Sequence, residues 1–172
     1  MKKNDSVDAI ELLKEDHKTV KKLFKSFEKT SKSEHEEKRI IVEEITGALA
    51  IHATIEEEIF YPAIKKARAQ ETKDEVLEAY EEHQQIKALL GALKALSPHD
   101  ESYDMKVKVL KEDVEHHVKE EEGEMFPDAR KFLRLGRLQK LGQEMSERKE
   151  ELETGSSVAT NDQPGQKRRA AR

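Results

Sequence analysis

Two His-x-x-x-Glu pairs, His52 with Glu56 and His117 with Glu121, stand in this chain beside two further histidines, His17 and His83. Residues four apart share one face of a helix, so each pair can present an imidazole and a carboxylate to the same point. Neutral imidazole and carboxylate suit iron, manganese or zinc, and two carboxylates can bridge two cations. Four histidines and two glutamates leave coordination positions open, which a reactive centre needs. For two ferrous ions the two glutamate charges leave roughly two positive charges, which a bound hydroxide or oxide would reduce. A third pair, His116 with Glu120, has the same spacing. His117 is preferred because it lies ten residues before Pro127, as His52 lies ten before Pro62. His116 is turned about 100° from it and reads as a surface residue, with Glu120 solvated.

These residues lie in the apolar seams of four predicted helices. In the first, over about 6–30, Ile10, Leu13, His17, Val20, Phe24 and Phe27 follow one another by three or four positions. The second, about 34–68, carries Ile41, Ile45, Ala48, His52, Ile55 and Ile59, with a kink expected at Pro62. The third starts near Thr72, where Thr72 and Glu75 have capping-box spacing, and places His83 among Val76, Ala79, Ile86, Leu90 and Leu93. Ser97-Pro98 ends it. The fourth, about 101–133, sets His117 and Glu121 in line with Val107, Leu110 and Val114, and Pro127 interrupts it near its end.

Long amphipathic helices with short turns predict an all-α, up-down-up-down four-helix bundle over residues 6–133. A C-terminal helical extension follows over 134–153, carrying Leu138, Leu141 and Met145. It reads as a short helix capping the bundle or as a mobile arm. Residues 154–172 are polar, contain Lys167-Arg168-Arg169, and read as a disordered tail. Each seam histidine lies near the middle of its helix, so antiparallel packing brings all four to similar height. Unpaired, such core side chains would each cost a few kcal/mol, against a domain stability of about 5–15 kcal/mol. A metal centre satisfies them together.

The two halves repeat. Glu15-Asp16-His17 matches Glu81-Glu82-His83, and the stretch from His52 to Pro62 matches that from His117 to Pro127. The offsets are 66 and 65 residues. Each half supplies one single-histidine helix and one His-x-x-x-Glu helix, an arrangement suited to two metal ions. Glu57, Glu58, Glu120 and Glu122 read as a solvated face, from which one could hydrogen-bond a ligand histidine. His35 and His99 read as exposed, Tyr61 and Tyr80 as packing residues, and Lys21 and Lys87 as flanking surface charges.

Composition narrows the classes. Charged residues make up 40% of the 172 residues and aromatics 5%, which suits helices with a single apolar stripe and not a large sheet core. The net charge of −5 gives no reason to expect nucleic-acid binding by the main body. The absence of cysteine excludes disulfides, thiolate ligands and cysteine nucleophiles. No apolar run has the length of a membrane span, and the start of the chain leads into a charged helix instead of a signal segment. The chain reads as cytoplasmic, with no membrane partner.

The order His17, His52-x-x-x-Glu56, His83, His117-x-x-x-Glu121 resembles the bacterial type of the hemerythrin-like HHE cation-binding domain family, over about residues 6–133. The stretches Ile-His-Ala-Thr-Ile-Glu-Glu-Glu-Ile-Phe-Tyr-Pro and His-His-Val-Lys-Glu-Glu-Glu-Gly-Glu-Met-Phe-Pro carry the likeness. The resemblance implies a four-helix bundle with two iron ions in an oxo- or hydroxo-bridged non-haem centre. Glu56 and Glu121 would bridge the irons, with His17 and His52 on one and His83 and His117 on the other. Small ligands such as O2, H2O2 or NO are then expected, and catalase-like, peroxidase-like or NO-directed activity is left open. Oxygen-carrying hemerythrins have a second histidine where Lys87 stands here, and an aspartate as second bridge at a longer spacing. The iron with one histidine fewer would be more open or would recruit another ligand. The alternatives are an iron-binding or sensing protein without catalysis, and a metal-free helical interaction module.

Overall fold

The computed structural model describes residues 7–67 and 71–159, apart from the side chains of 71–73 and 156–159. The described residues form helices and no strand. α1 (Ala9–Glu28) begins where Asp8 Oδ1 accepts the backbone N–H groups of Ile10 and Glu11, each at 3.0 Å. The expected start at residue 6 lies outside the described residues. α2 (His35–Ile55) is followed by a π-helical turn (Glu56–Phe60) and by α3 (Tyr61–Ala67). α4 is Glu71–Ala95, and Thr72 of the expected capping box has its side chain outside the described part. α5 (Tyr103–Glu120) leads through a second π-helical turn (Glu121–Met125) into α6 (Phe126–Phe132).

The kink expected at Pro62 and the interruption at Pro127 both take the form of a π-helical turn just upstream. Tyr61 N–H donates to the Glu56 carbonyl, and Phe126 N–H to the Glu121 carbonyl, each five residues back. Proline has no N–H and its ring presses on the carbonyl four residues back. Inserting one residue just before it relieves that conflict without ending the helix. Both turns begin at the glutamate of a His-x-x-x-Glu pair.

Two apolar clusters fill the bundle. One joins Ile10 and Leu13 of α1 to Ile55, Phe60, Tyr61 and Ile64 on the second rod, Val76 and Ala79 of α4, and Met125, Phe126 and Ala129 on the fourth. The other joins Val20, Phe24 and Phe27 to Ile41 and Ile45, Ile86 and Leu90, and Tyr103, Val107 and Leu110. The start of each rod therefore meets the end of the next, as an up-and-down bundle requires. The histidines occupy the level between the clusters. No helix among the described residues is long and apolar enough to cross a membrane.

The segment after the bundle is α7 (Leu135–Ala159), which packs on α1, α2 and the first π-helical turn. Leu138, Leu141 and Met145 are fully buried in the first cluster, so it is part of the core. The helix runs through residues 154–159, where the sequence suggests a tail. Thr154 Oγ1 donates to the Glu150 carbonyl at 2.8 Å. The remainder of the expected tail, 160–172, lies outside the described residues.

α7 crosses α1 at Gly142. A Cβ there would overlap the Val7 carbonyl oxygen and stand 2.8 Å from Asp8 C and Ala9 N. These are backbone atoms that cannot swing aside. Gly142→Ala is therefore expected to destabilise the protein by about 1–3 kcal/mol. Gly47→Ala, in the open middle of α2, should stabilise it by up to about 1 kcal/mol. Denaturation midpoints of the two variants check this, and equal shifts would show that α7 does not depend on the close crossing.

Candidate metal centre

Among the described residues eight polar or charged side chains are buried, and six of them are His17, His52, Glu56, His83, His117 and Glu121. The other two have full partners. Asp8 caps α1 and receives Arg130 at 3.1 Å, and Lys38 Nζ donates to both oxygens of Asp104 at 2.9 and 2.7 Å. The six converge instead on one another. His17 Nε2 and His52 Nε2 are 3.2 Å apart, and His83 Nε2 and His117 Nε2 are 3.1 Å apart. Glu56 Oε2 lies 3.2 Å from His52 Nε2 and 3.4 Å from His83 Nε2. Glu121 Oε2 lies 3.2 Å from His17 Nε2 and 3.5 Å from His117 Nε2. Each carboxylate thus stands between one histidine of either pair.

Every Nδ1 faces a carboxylate from a neighbouring helix. His17 Nδ1 meets Glu122 at 2.8 Å, His52 meets Asp16 at 3.5 Å, His83 meets Glu57 at 2.8 Å and His117 meets Glu82 at 2.7 Å. A carboxylate accepts, so each Nδ1 carries a hydrogen, and in the neutral ring Nε2 is then left to bind a cation. Two pairs of Nε2 atoms face each other at about 3 Å. Glu56 Oε1 and Glu121 Oε2 are buried without any hydrogen-bond partner. Imidazoles and carboxylates at this spacing have the chemistry to hold cations. The donor atoms fall into two overlapping sets, one of His17, His52, Glu56 and Glu121, the other of Glu56, His83 and His117.

The surroundings set the protonation states. Burial, then the charge of Glu121, pushes the Glu56 carboxyl well above the usual carboxylate range. Glu121 is held low: burial opposes this, but His117, His17 and His52 outweigh it. Burial and neighbouring His117 push His83 down to about 4, and burial lowers His52. Burial disfavours charge on His117 too, yet Glu121 and Glu82 raise it. Asp16, Glu57 and Glu82 all lie below their ordinary values. Partial burial opposes this in each, and the hydrogen bonds from His52 and Lys149, from Lys87 and His83, and from His117 respectively outweigh it.

All six residues singled out in the sequence come together here. The histidine contact expected from one residue of the acidic face is made by two, Glu57 and the exposed Glu122, each to a histidine of the opposite half. Asp16 and Glu82 had no assigned role. The repeat carried the signal for all four: an acid precedes each single histidine, and another follows each buried glutamate. Tyr61 is more than packing, because its hydroxyl donates to Glu121 Oε1 at 2.8 Å and stands 3.3 Å from His83 Nε2. Tyr80 stays outside and donates to the Glu57 carbonyl at 3.2 Å. Lys87 Nζ donates to Glu57 Oε1 at 2.6 Å, sharing it with His83. His116 is at the surface, 3.1 Å from Glu120. His35 is half-buried, with its ring centroid 4.0 Å from that of His99.

The profile of the Hemerythrin HHE cation binding domain matches residues 8–129. The chain belongs to that family. A crystal structure of a hemerythrin HHE cation binding domain-containing protein from Mycobacterium kansasii superposes with a TM-score of 0.74 at 27% identity, covering 90% of this chain and 91% of that one. A DNA nickase of Nostoc sp. is 33% identical over 85 residues, 49% of this chain and 23% of that protein. The chain thus spans about a quarter of the length of that curated relative. Membership makes this HHE chain a metal-binding, hemerythrin-like protein, and its cluster of buried histidines and glutamates has the chemistry for that.

With metal removed by chelation, Glu56 keeps its proton in the fold at pH values where the unfolded chain has lost it. The unfolded state then binds fewer protons, so this residue's contribution to stability falls as pH rises above about 4.5. Glu56→Gln removes the penalty. The chelated variant should be more stable than the chelated parent at pH 7, by about 1 kcal/mol or more, with the gap closing toward pH 4. Urea titrations across that range check the sign. A variant less stable than its parent at pH 7 would contradict it.

Proposed function

We propose that His17, His52, His83 and His117, with Glu56 and Glu121 shared between the two pairs, hold two iron ions, and that the protein binds or reacts with O2, H2O2 or NO. The observation that carries this reading is the convergence of four Nε2 atoms on two buried carboxylates, two of whose oxygens have no hydrogen-bond partner. When bound, the ion pair supplies redox equivalents and open positions for a small ligand. The chain's own residues supply the rest. Asp16, Glu57, Glu82 and Glu122 fix each imidazole's tautomer and direction and raise its basicity. Tyr61 Oη offers a further oxygen donor, or a proton, on the side of His83 and His117. That is the side where oxygen-carrying hemerythrins have the additional histidine replaced here by Lys87.

A cavity of about 340 Å3 meets all four histidines. Val20, Leu49, Ile86, Leu90 and Val114 wall it. Asp16 and Lys87 also line it, and the largely apolar wall suits a small neutral molecule. A cytoplasmic setting belongs to the same proposal and rests on the cysteine-free sequence.

Protein produced with iron should contain about two irons per chain, with near-ultraviolet absorption that responds to O2, H2O2 or NO. The His52→Ala/His117→Ala variant should lose both. Stoichiometric iron with no spectral response would favour iron binding or sensing. No stoichiometric metal, in parent and variant alike, would refute the centre and leave an interaction module. Ala53→Leu, on the cavity wall, should slow the response to O2 or peroxide about tenfold while iron content stays the same. Unchanged rates would show that ligands arrive by another path.

A further inference from the structure

The two halves of the chain differ in what lies over the centre. Setting His83 on His17 and His117 on His52 pairs Glu75 with Ala9, Glu78 with Leu12, His116 with Ile51, Glu120 with Ile55 and Glu124 with Ile59. In the first half Ala9 and Ile55 belong to the cluster containing Leu138, Leu141 and Met145 of α7, and Leu12 and Ile59 pack against it. α7 therefore covers that face. In the second half the equivalent face carries carboxylates. A cavity of about 60 Å3 opens there, lined by Glu75, Glu78, Glu82, Glu120 and Glu124, and it reaches His117 and Glu121.

Exposure falls along this cleft. Glu78 and Glu124 are exposed, Glu82 and Glu120 are half-buried, and His117 and Glu121 are buried. Glu121 forms part of its wall, 1% exposed and with Oε2 lacking a hydrogen-bond partner. At the mouth His116 Nε2 stands 3.1 Å from Glu120 Oε1 and 3.5 Å from Glu82 Oε1. These three residues offer one ligand atom each within 4.8 Å of one another. The other oxygen of Glu82 holds His117 Nδ1 at 2.7 Å. One side chain thus belongs both to the surface cluster and to the buried centre.

We propose that this cleft is the route by which a divalent metal cation reaches the buried histidines, with Glu82, His116 and Glu120 as a transit site at its mouth. The inference rests on the metal centre proposed above. Carboxylates lining a narrow cleft focus a negative potential and draw cations toward it. A cavity of this size has room for only a few waters. The ion therefore exchanges part of its water shell for carboxylate and imidazole atoms as it enters. Its next partners inward are Glu121 and His117. The larger cavity offers a cation one carboxylate, Asp16, in a mostly apolar wall that also carries the cation Lys87, whereas six carboxylates line the cleft. The half covered by α7 has apolar residues at the matching positions and offers no counterpart.

The test is the rate of cobalt(II) uptake by the chelated full-length protein, followed by stopped-flow absorption, with final metal content measured on the same samples. His116→Ala/Glu120→Gln should load about tenfold or more slowly yet reach the parent's stoichiometry and spectrum. Glu112→Gln, an exposed carboxylate elsewhere on α5, should load at the parental rate. A double variant that loads as fast as a stoichiometrically loading parent would overturn the route and leave the centre standing. Equal slowing in Glu112→Gln would also overturn it, since net charge would then account for the effect. A parent that takes up no stoichiometric metal would instead refute the centre, and the route with it.

Discussion

Four imidazoles and two glutamate carboxyls are forced to face one another in the middle of an apolar bundle. Burial removes the water that would solvate them. The fold holds them there through bonds on their far sides. Each ring's Nδ1 is tied to a carboxylate on a neighbouring rod, so the rods are cross-linked through the histidines themselves. The apolar residues are correspondingly divided into two clusters, one on either side of the polar level. The π-helical turns follow from the same requirement. Each starts at a buried glutamate, and the next residue, Glu57 or Glu122, reaches a histidine of the other half.

Duplication gives the centre its near symmetry, and the departures from symmetry give it direction. One half lies under α7, which needs glycine at 142 to cross the start of α1. Arg148 and Lys149 of α7 then reach Glu58 and Asp16, so the cover is also tied to the acids around the centre. The other half keeps an acidic face. Tyr61 breaks the symmetry inside as well, because Phe126 stands at its matching position before the second proline. Its hydroxyl enters the site, whereas the Phe126 ring stacks on His17 at 5.8 Å.

Much of this was legible in the sequence. The three-and-four spacing of apolar residues placed the rods, and histidines occurring within that spacing had to point inward. The ten-residue interval to proline separated His117 from His116 correctly with respect to burial. Periodicity says which way a side chain leaves its helix, not what it meets on the next one. Periodicity therefore assigns no role to Asp16 and Glu82, and leaves Glu57 and Glu122 on a solvated face with at most one histidine contact, although all four act across a helix interface. Tyr61 was hidden for a related reason, since the inserted residue of the π-helical turn resets the register that a regular helix would give it. The length of α7 was understated because its last turns are polar, and a helix held by its buried first half needs no apolar stripe to its end.

The metal centre requires the four seam histidines to carry hydrogen on Nδ1 and to offer Nε2 to cations. Nitrogen-15 spectra of histidine-labelled protein, chelated and then titrated with zinc(II) above neutral pH, read this directly. Four rings in the Nδ1–H tautomer are expected before metal, with those same four Nε2 signals moving on zinc binding while the Nδ1 protons remain. Rings in the Nε2–H tautomer, or zinc shifts that fall outside His17, His52, His83 and His117, would contradict it.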